Sequence, residues 1–252
     1  MIFIKSPEEI DKIKRACEIV AQVFLDIEKY IKPGITTAEI DEIGEKLIIS
    51  YGGRPAFKGY RGYQYATCIS VNSEVVHGIP SPKKVLAEGD IVGLDMGAIN
   101  QGYYSDMART YPVGKVSKQA KLLLKCGREA LTIAIGKVRP GVRLGDVSSS
   151  IERHAKAHGY SVVKDLFGHG IGQNMHEDPL IPNYGVAGEG VELRPGMTLA
   201  IEPMLNVGGS AIITLSDGWT VVTKDRSLSA HFEDTVLVTD NGAEILTCQK
   251  KT

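Results

Sequence analysis

The stretch IKPGITTAEIDEIGEKLIISYGG, residues 31–53, has a distant counterpart in VRPGVRLGDVSSSIERHAKAHGY, residues 138–160. Pro33-Gly34 maps onto Pro140-Gly141, 107 positions on. Each Pro-Gly follows an amphipathic run and precedes a second helical one. The first run is expected from Pro7 to Ile31, with Ile10, Ile13, Cys17, Val20, Phe24 and Ile27 on one face. Ser6 reads as its N-cap and Pro7 as its first turn. The counterpart is expected from about Ser117 to Val138. The same offset carries EGDIVGLDMGA onto RPGMTLAIEPM, so that Gly89 maps onto Gly196 and Asp95 onto Glu202. HGIP at His77 and HGIG at His169 are 92 apart. Identity is low at each landmark, but their agreement in order indicates a duplication.

The repeated unit is helix, turn, helix, then strands. Strands cluster after about Tyr65 and again after about Val162, and Asn241-Gly242 signals a tight turn near the last of them. The expectation is an α+β fold with two pseudo-symmetric halves, about 1–110 and 111–252. They pack as a single domain, 1–252, around a shared antiparallel sheet with a site between them.

With 252 residues, 43% of them hydrophobic, the chain can bury a substantial core. A net charge of −1 argues against bulk attraction to nucleic acid or to an anionic membrane. No run approaches the length of a membrane span, and the N-terminus does not read as a signal peptide. Cys17, Cys68, Cys126 and Cys248 are scattered, with no Cys-x-x-Cys pair. They read as free thiols, so a cytoplasmic location is expected. No dimer motif is evident, and a monomer is expected. The glycine-rich GHGIG lacks both the GxGxxG spacing and a P-loop lysine, which argues against nucleotide binding.

Asp95 and Glu202, equivalent by the repeat, each end an apolar run, and buried charges there need partners. Asp106 follows Asp95 by an odd number of residues. A hairpin centred on Asn100-Gln101 would set the two acids directly opposite, Cβ atoms about 4.5–5.5 Å apart, where like charges destabilise. A shared proton or a cation would relieve this. His169, flanked by glycines in FGHGIG, and Glu233, in the strand pattern SAHFEDTVLV, favour the cation. Asp95, Asp106, His169, Glu202 and Glu233 offer four carboxylates and one imidazole, a set that two divalent ions would neutralise. A two-ion site suits hydrolysis, and the donor types suit Mn, Fe or Co, with Zn also compatible. His154 and His158 are spaced i, i+4 on a helix, but the repeat maps them onto Leu47 and Tyr51, so they read as packing positions. His231 is expected on the same strand face as Glu233.

HGIP, LDMGAINQGYYSDMART, FGHGIG, LAIEPM and DGWTVVTKDRSLSAHFEDTVLVTDNG together resemble the bacterial type I methionine aminopeptidases, of pita-bread fold and peptidase family M24. The likeness runs from about Ser6 to Leu246. It implies removal of the initiator methionine from nascent polypeptide N-termini when the second residue is small. An activated water would attack the first peptide carbonyl. On the family pattern Asp95 chelates one ion, Asp106 and Glu233 bridge both, and His169 and Glu202 hold the second. Glu202 would be the general base, His77 would contact the scissile amide nitrogen, and His176 would stabilise the oxyanion. The methionine pocket maps to Tyr60, Tyr63, Cys68 and Trp219. Departures are Phe57, where the family has cysteine, and Met175, where it has phenylalanine; both concern pocket shape. The resemblance further implies a monovalent cation near Asn72, Glu74 and Ser229, and transient ribosome proximity. The alternatives are a proline-specific peptidase of the same fold, which usually carries an extra N-terminal domain, and a non-catalytic binding homologue.

Overall fold

Gly34 and Gly141 occupy the left-handed region, with φ of 93° and 80°, which a side chain would strain. Each amide donates to a carbonyl 52 residues further on, Gly34 to Leu86 at 2.8 Å and Gly141 to Leu193 at 3.0 Å. Leu86 and Leu193 donate back to Ile35 and Val142, both at 2.8 Å. The isolated bridges Thr36–Val85 and Arg143–Glu192 repeat at the same offset. Helix starts repeat as well: the Thr36 amide donates to Glu39 at 2.8 Å, and the Arg143 amide to Asp146 at 3.1 Å. The duplication read from the Pro-Gly stretches is thus a duplication of hydrogen bonds.

The structure, a computed structural model, describes residues 1–248. The expected end of the domain, residues 249–252, lies outside the described residues. Among the described residues four α-helices are arranged as two pairs, α1 (Pro7–Ile27) with α2 (Thr37–Ser50) and α3 (Lys118–Ile135) with α4 (Leu144–Ala157). Ser6 caps α1 in a reciprocal capping box with Glu9. α1 stops at Ile27, short of the expected Ile31, because the chain tightens into a 3₁₀ turn at Glu28–Tyr30. α3 likewise ends at Ile135 rather than Val138. Ile13, Cys17, Val20, Phe24 and Ile27 form the buried face of α1, as their period requires.

The helices cover an antiparallel sheet of eight strands that both halves share. Its path runs Glu177–Pro182, Phe167–Gly170, Thr198–Ile201, Glu233–Thr239, Met107–Pro112, Ile91–Met96, Cys68–Val71, with Gly242–Ile245 also paired to Glu233–Thr239. The last hairpin turns at Asp240-Asn241. One core lies under α1 and α2, from Phe24 and Ile48 to Leu94 and Met107. The other lies under α3 and α4, from Leu123 and Ile151 to Leu199 and Val236. Buried polar groups lock helix to strand. Asp41 of α2 accepts from the amide and the hydroxyl of Thr67, both at 2.8 Å. Burial of this carboxyl raises its pKa in spite of those bonds. Lys5 and Glu177 form an ion pair of 2.6 Å, both side chains almost fully enclosed.

The hairpin of the two acids differs from the expectation. Ile99 pairs with Tyr104 and Asn100 with Tyr103, so the turn is Gln101-Gly102. Both turn residues have positive φ, 49° and 83°, the geometry of a two-residue hairpin turn with glycine second. The register is therefore two residues away from the expected one. Asp95 faces Ala108, and Asp106 lies diagonal to Asp95 on the same face instead of directly opposite.

Candidate active site

Register alone gathers the acids. Cys68 pairs with Asp95, Asp95 with Ala108, and Ala108 with Glu233, so one row of the sheet carries Cys68, Asp95 and Glu233 on one face around a small alanine. His169 pairs with Ala200, which pairs with Thr235. Period two then puts His169, Glu202 and Glu233 on that face as well. Asp106 precedes Ala108 by two and joins them. The Asp106 backbone is clamped by Thr235, whose hydroxyl accepts from its amide at 3.2 Å and donates to its carbonyl at 2.8 Å.

Gly168 and Gly170 explain why His169 fits. A Cβ at either would lie 2.4 Å from the Ala200 carbonyl oxygen or 2.2 Å from that of Asp178. His169 Nδ1 is 2.9 Å from the Gly170 carbonyl, which can only accept, so Nδ1 carries the proton. The Nε2 lone pair is left facing Asp106 at 3.9 Å and Glu202 at 3.7 Å. Burial pushes the His169 pKa down to about 4 and keeps the ring neutral.

Electrostatics identify what the cluster needs. Burial, then mutual repulsion, raises Asp95, Glu202 and Glu233 well above the usual carboxylate range. Burial takes Asp106 up to about 7. Asp95 Oδ1 and Glu233 Oε1 are buried without a hydrogen-bond partner. Among the described residues no lysine or arginine forms an ion pair with any of these four acids. Arg109 spends its guanidinium on Asp234, at 2.6 Å, and on the Glu233 carbonyl, at 2.5 Å. Ligand atoms of Asp106, His169 and Glu233 all lie within 4.8 Å of one another. Orphaned buried oxygens, a lone imidazole nitrogen and no internal cation fit divalent metal ions bound by oxygen and nitrogen.

The same pocket is lined by His77, His176, Tyr60, Tyr63, Cys68 and Trp219, and by Phe57 and Met175. Its apolar wall has Tyr63 edge-on to Trp219 with centroids 5.0 Å apart. The Tyr63 hydroxyl donates to the Thr67 carbonyl at 2.9 Å, which fixes the ring. Asp217 accepts from the amides of Trp219 and Thr220, both at 2.8 Å, and sets the loop that carries the indole. His77 sits at a strained φ of 58°, and burial lowers its pKa. Tyr60 places its hydroxyl 2.8 Å from His176 Nδ1. His176, at the pocket mouth, is pushed down to about 3 by desolvation, with neighbouring His169, Arg61 and His77 adding to it.

Two contributors escaped sequence reasoning. Arg61 lines the pocket over the Tyr60 ring. Thr235 acts as the Asp106 clamp across 129 residues. His231 ends a separate short strand, Ser229–His231, rather than sharing that of Glu233, and its side chain still reaches the expected side, with Nε2 3.3 Å from Glu202 Oε2. At the expected monovalent site, Ser229 donates to the Asn72 carbonyl at 2.9 Å, whereas the Glu74 carboxylate pairs with Lys84 at 2.6 Å.

A curled antiparallel sheet with paired helices and an acid-lined central pocket defines a metallohydrolase class, and comparison with known proteins agrees. The family model for metallopeptidase family M24 matches residues 11–240, and the chain belongs to that family. Methionine aminopeptidase of Clostridium acetobutylicum is 49% identical over 98% of this chain and 99% of its own length. The crystal structure of methionine aminopeptidase from Thermotoga maritima superposes with a TM-score of 0.97 at 51% identity, covering 98% of this chain and 99% of that one. Prolidase from Pyrococcus furiosus shares the fold with a TM-score of 0.80 at 29% identity, and the chain covers 66% of it. The protein is a metal-dependent aminopeptidase that removes N-terminal methionine from polypeptides. No described helix is long and apolar enough to cross a membrane.

Proposed function

We propose that Asp95, Asp106, His169, Glu202 and Glu233 hold two divalent ions, with Asp106 and Glu233 between them. Their convergence on one sheet face, with unpartnered buried oxygens, carries this reading. Such ions would supply Lewis acidity and acidify water near neutral pH; Mn, Fe, Co or Zn is compatible with the donors. Glu202 accepts the proton of the attacking water and delivers it to the departing amine, with His231 Nε2 3.3 Å from its Oε2. His77 holds the scissile amide nitrogen. With Tyr60 donating to Nδ1, His176 presents a protonated Nε2 to the carbonyl oxygen as charge develops there. The wall of Phe57, Tyr63, Cys68, Met175 and Trp219 excludes water and takes an unbranched thioether side chain.

The same proposal reads the chain as one catalytic unit with an internal duplication, monomeric and cytoplasmic, acting on nascent chains near the ribosome and preferring a small second residue. Asn72 and Ser229 would offer carbonyl oxygens to a monovalent cation beside Glu74. The test is hydrolysis of Met-Ala-Ser while metal is titrated into apo-protein. Wild type is expected to gain activity with Co(II) or Mn(II). Asp106→Ala should lose at least about 10²–10³-fold, the scale of one lost transition-state contact. Full activity in that variant would refute the bridging role. Preference for an X-Pro dipeptide would favour the proline-specific reading, and failure of apo-protein to gain activity with any of Co, Mn, Fe or Zn would favour the non-catalytic binding homologue.

A further inference from the structure

The outer helix pair carries a second group of donor atoms that the reaction does not use. Cys126 of α3, His154 of α4 and His158 just beyond it present a sulfur and two ring nitrogens within 4.8 Å of one another. None of the three lines the active-site pocket. The imidazole centroids are 4.4 Å apart. His158 Nδ1 lies 2.9 Å from the His154 carbonyl, an acceptor only. The proton is therefore on Nδ1, and the Nε2 lone pair is free, the pattern by which metal-bound histidines are oriented. His154 Nε2 is buried with no hydrogen-bond partner, the kind of exception that calls for a missing ligand. Glu129, one turn from Cys126 on α3, brings Oε2 within 3.5 Å of that nitrogen, while its Oε1 faces Lys125 at 3.7 Å. Cys126 is buried, which pushes its thiol up to about 11 and makes it inert unless a metal takes the proton's place.

We propose that Cys126, His154 and His158, with Glu129 as fourth donor, form a second metal site for a thiophilic divalent cation of the zinc type, joining α3 to α4. One sulfur, two nitrogens and one carboxylate make a four-donor set for a tetrahedral ion. Binding deprotonates the Cys126 thiol, and the proton leaves to solvent. Thiolate and carboxylate then balance the ion's two charges, with both histidines neutral. Small rotations of the His158 and Glu129 side chains, both near the surface, close the remaining distances.

Cobalt(II) distinguishes this site from the catalytic one. The catalytic ligands proposed above are oxygen and imidazole, so a sulfur-to-cobalt charge-transfer band in the near ultraviolet reports the Cys126 site. Intact protein saturated with Co(II) is expected to show that band and to bind one ion beyond those of the active site. Cys126→Ser and His154→Ala should lose both the band and that ion and still hydrolyse Met-Ala-Ser at the wild-type rate, while Cys68→Ser should keep the band. His158→Ala alters an exposed residue and should weaken uptake by at least about 100-fold, since losing a donor costs no less than losing a residue that only supports one. Absence of the band from saturated wild type, or its survival in Cys126→Ser, would overturn the proposal, and the wild-type spectrum decides the first of these without any variant.

Discussion

Asp106 shows how much one side chain depends on others far away in sequence. Its acid was visible in the sequence, but its clamp, Thr235, became visible only with the sheet. Trp219 makes a sharper case for function. Its indole meets Tyr63 edge-on and closes the apolar wall, so Trp219→Ala should act on substrate fit more than on chemistry. Steady-state kinetics on Met-Ala-Ser should show KM rising about tenfold, roughly 1.4 kcal/mol, with kcat changed far less. A fall in kcat with unchanged KM would place the indole elsewhere in the reaction. The five residues proposed as metal ligands stood out in the sequence by residue type. Their relative placement was misread for Asp95 and Asp106, because parity restricts a hairpin loop to even lengths but leaves the turn's position open. Left-handed Gln101-Gly102 settled it.

Elements dock through a few buried polar contacts, and these can be tested one at a time. Asp41→Ala would leave the buried Thr67 amide and hydroxyl without their acceptor. Chemical denaturation should show a loss of about 1–3 kcal/mol, the cost of stranding such donors. The Asp225 turn provides a pH-dependent counterpart. Its carboxylate is held down to about 2, first by the Ser227 hydroxyl and then by the Gly209 and Ser227 amides. A depressed carboxylate contributes stability above its unfolded pKa, near 3.8, and loses it as pH falls toward about 2. Protection of the Gly209 amide, measured relative to its intrinsic exchange rate at each pH, should therefore fall over that window, and Asp225→Asn should remove this pH dependence. Helix existence and the repeat were readable from period and Pro-Gly spacing. Helix ends were not, because Glu28–Tyr30 continues as a tighter turn that the hydrophobic period does not distinguish.

For the whole molecule, four clustered carboxylates with one neutral imidazole store repulsion that no lysine or arginine among the described residues pairs with them to relieve. Chelation should therefore lower Tm, and Mn(II) or Co(II) at about 100 times Kd should restore about 5–10 °C in a thermal scan. An unchanged Tm would mean the acids are accommodated without ions. The sequence by itself determined the duplicated α+β plan, the residue types of the proposed site and the likeness to methionine aminopeptidases, because period, turn chemistry and ordered motifs are local properties. Tertiary structure alone decided which residues meet. Strand register put Asp95, Ala108 and Glu233 in one row, and the packing of α3 against α4 brought Cys126 to a His-x3-His pair that read as packing in the linear chain. Such meetings depend on pairing between segments more than a hundred residues apart, or on helix faces in contact, and neither has a local signature.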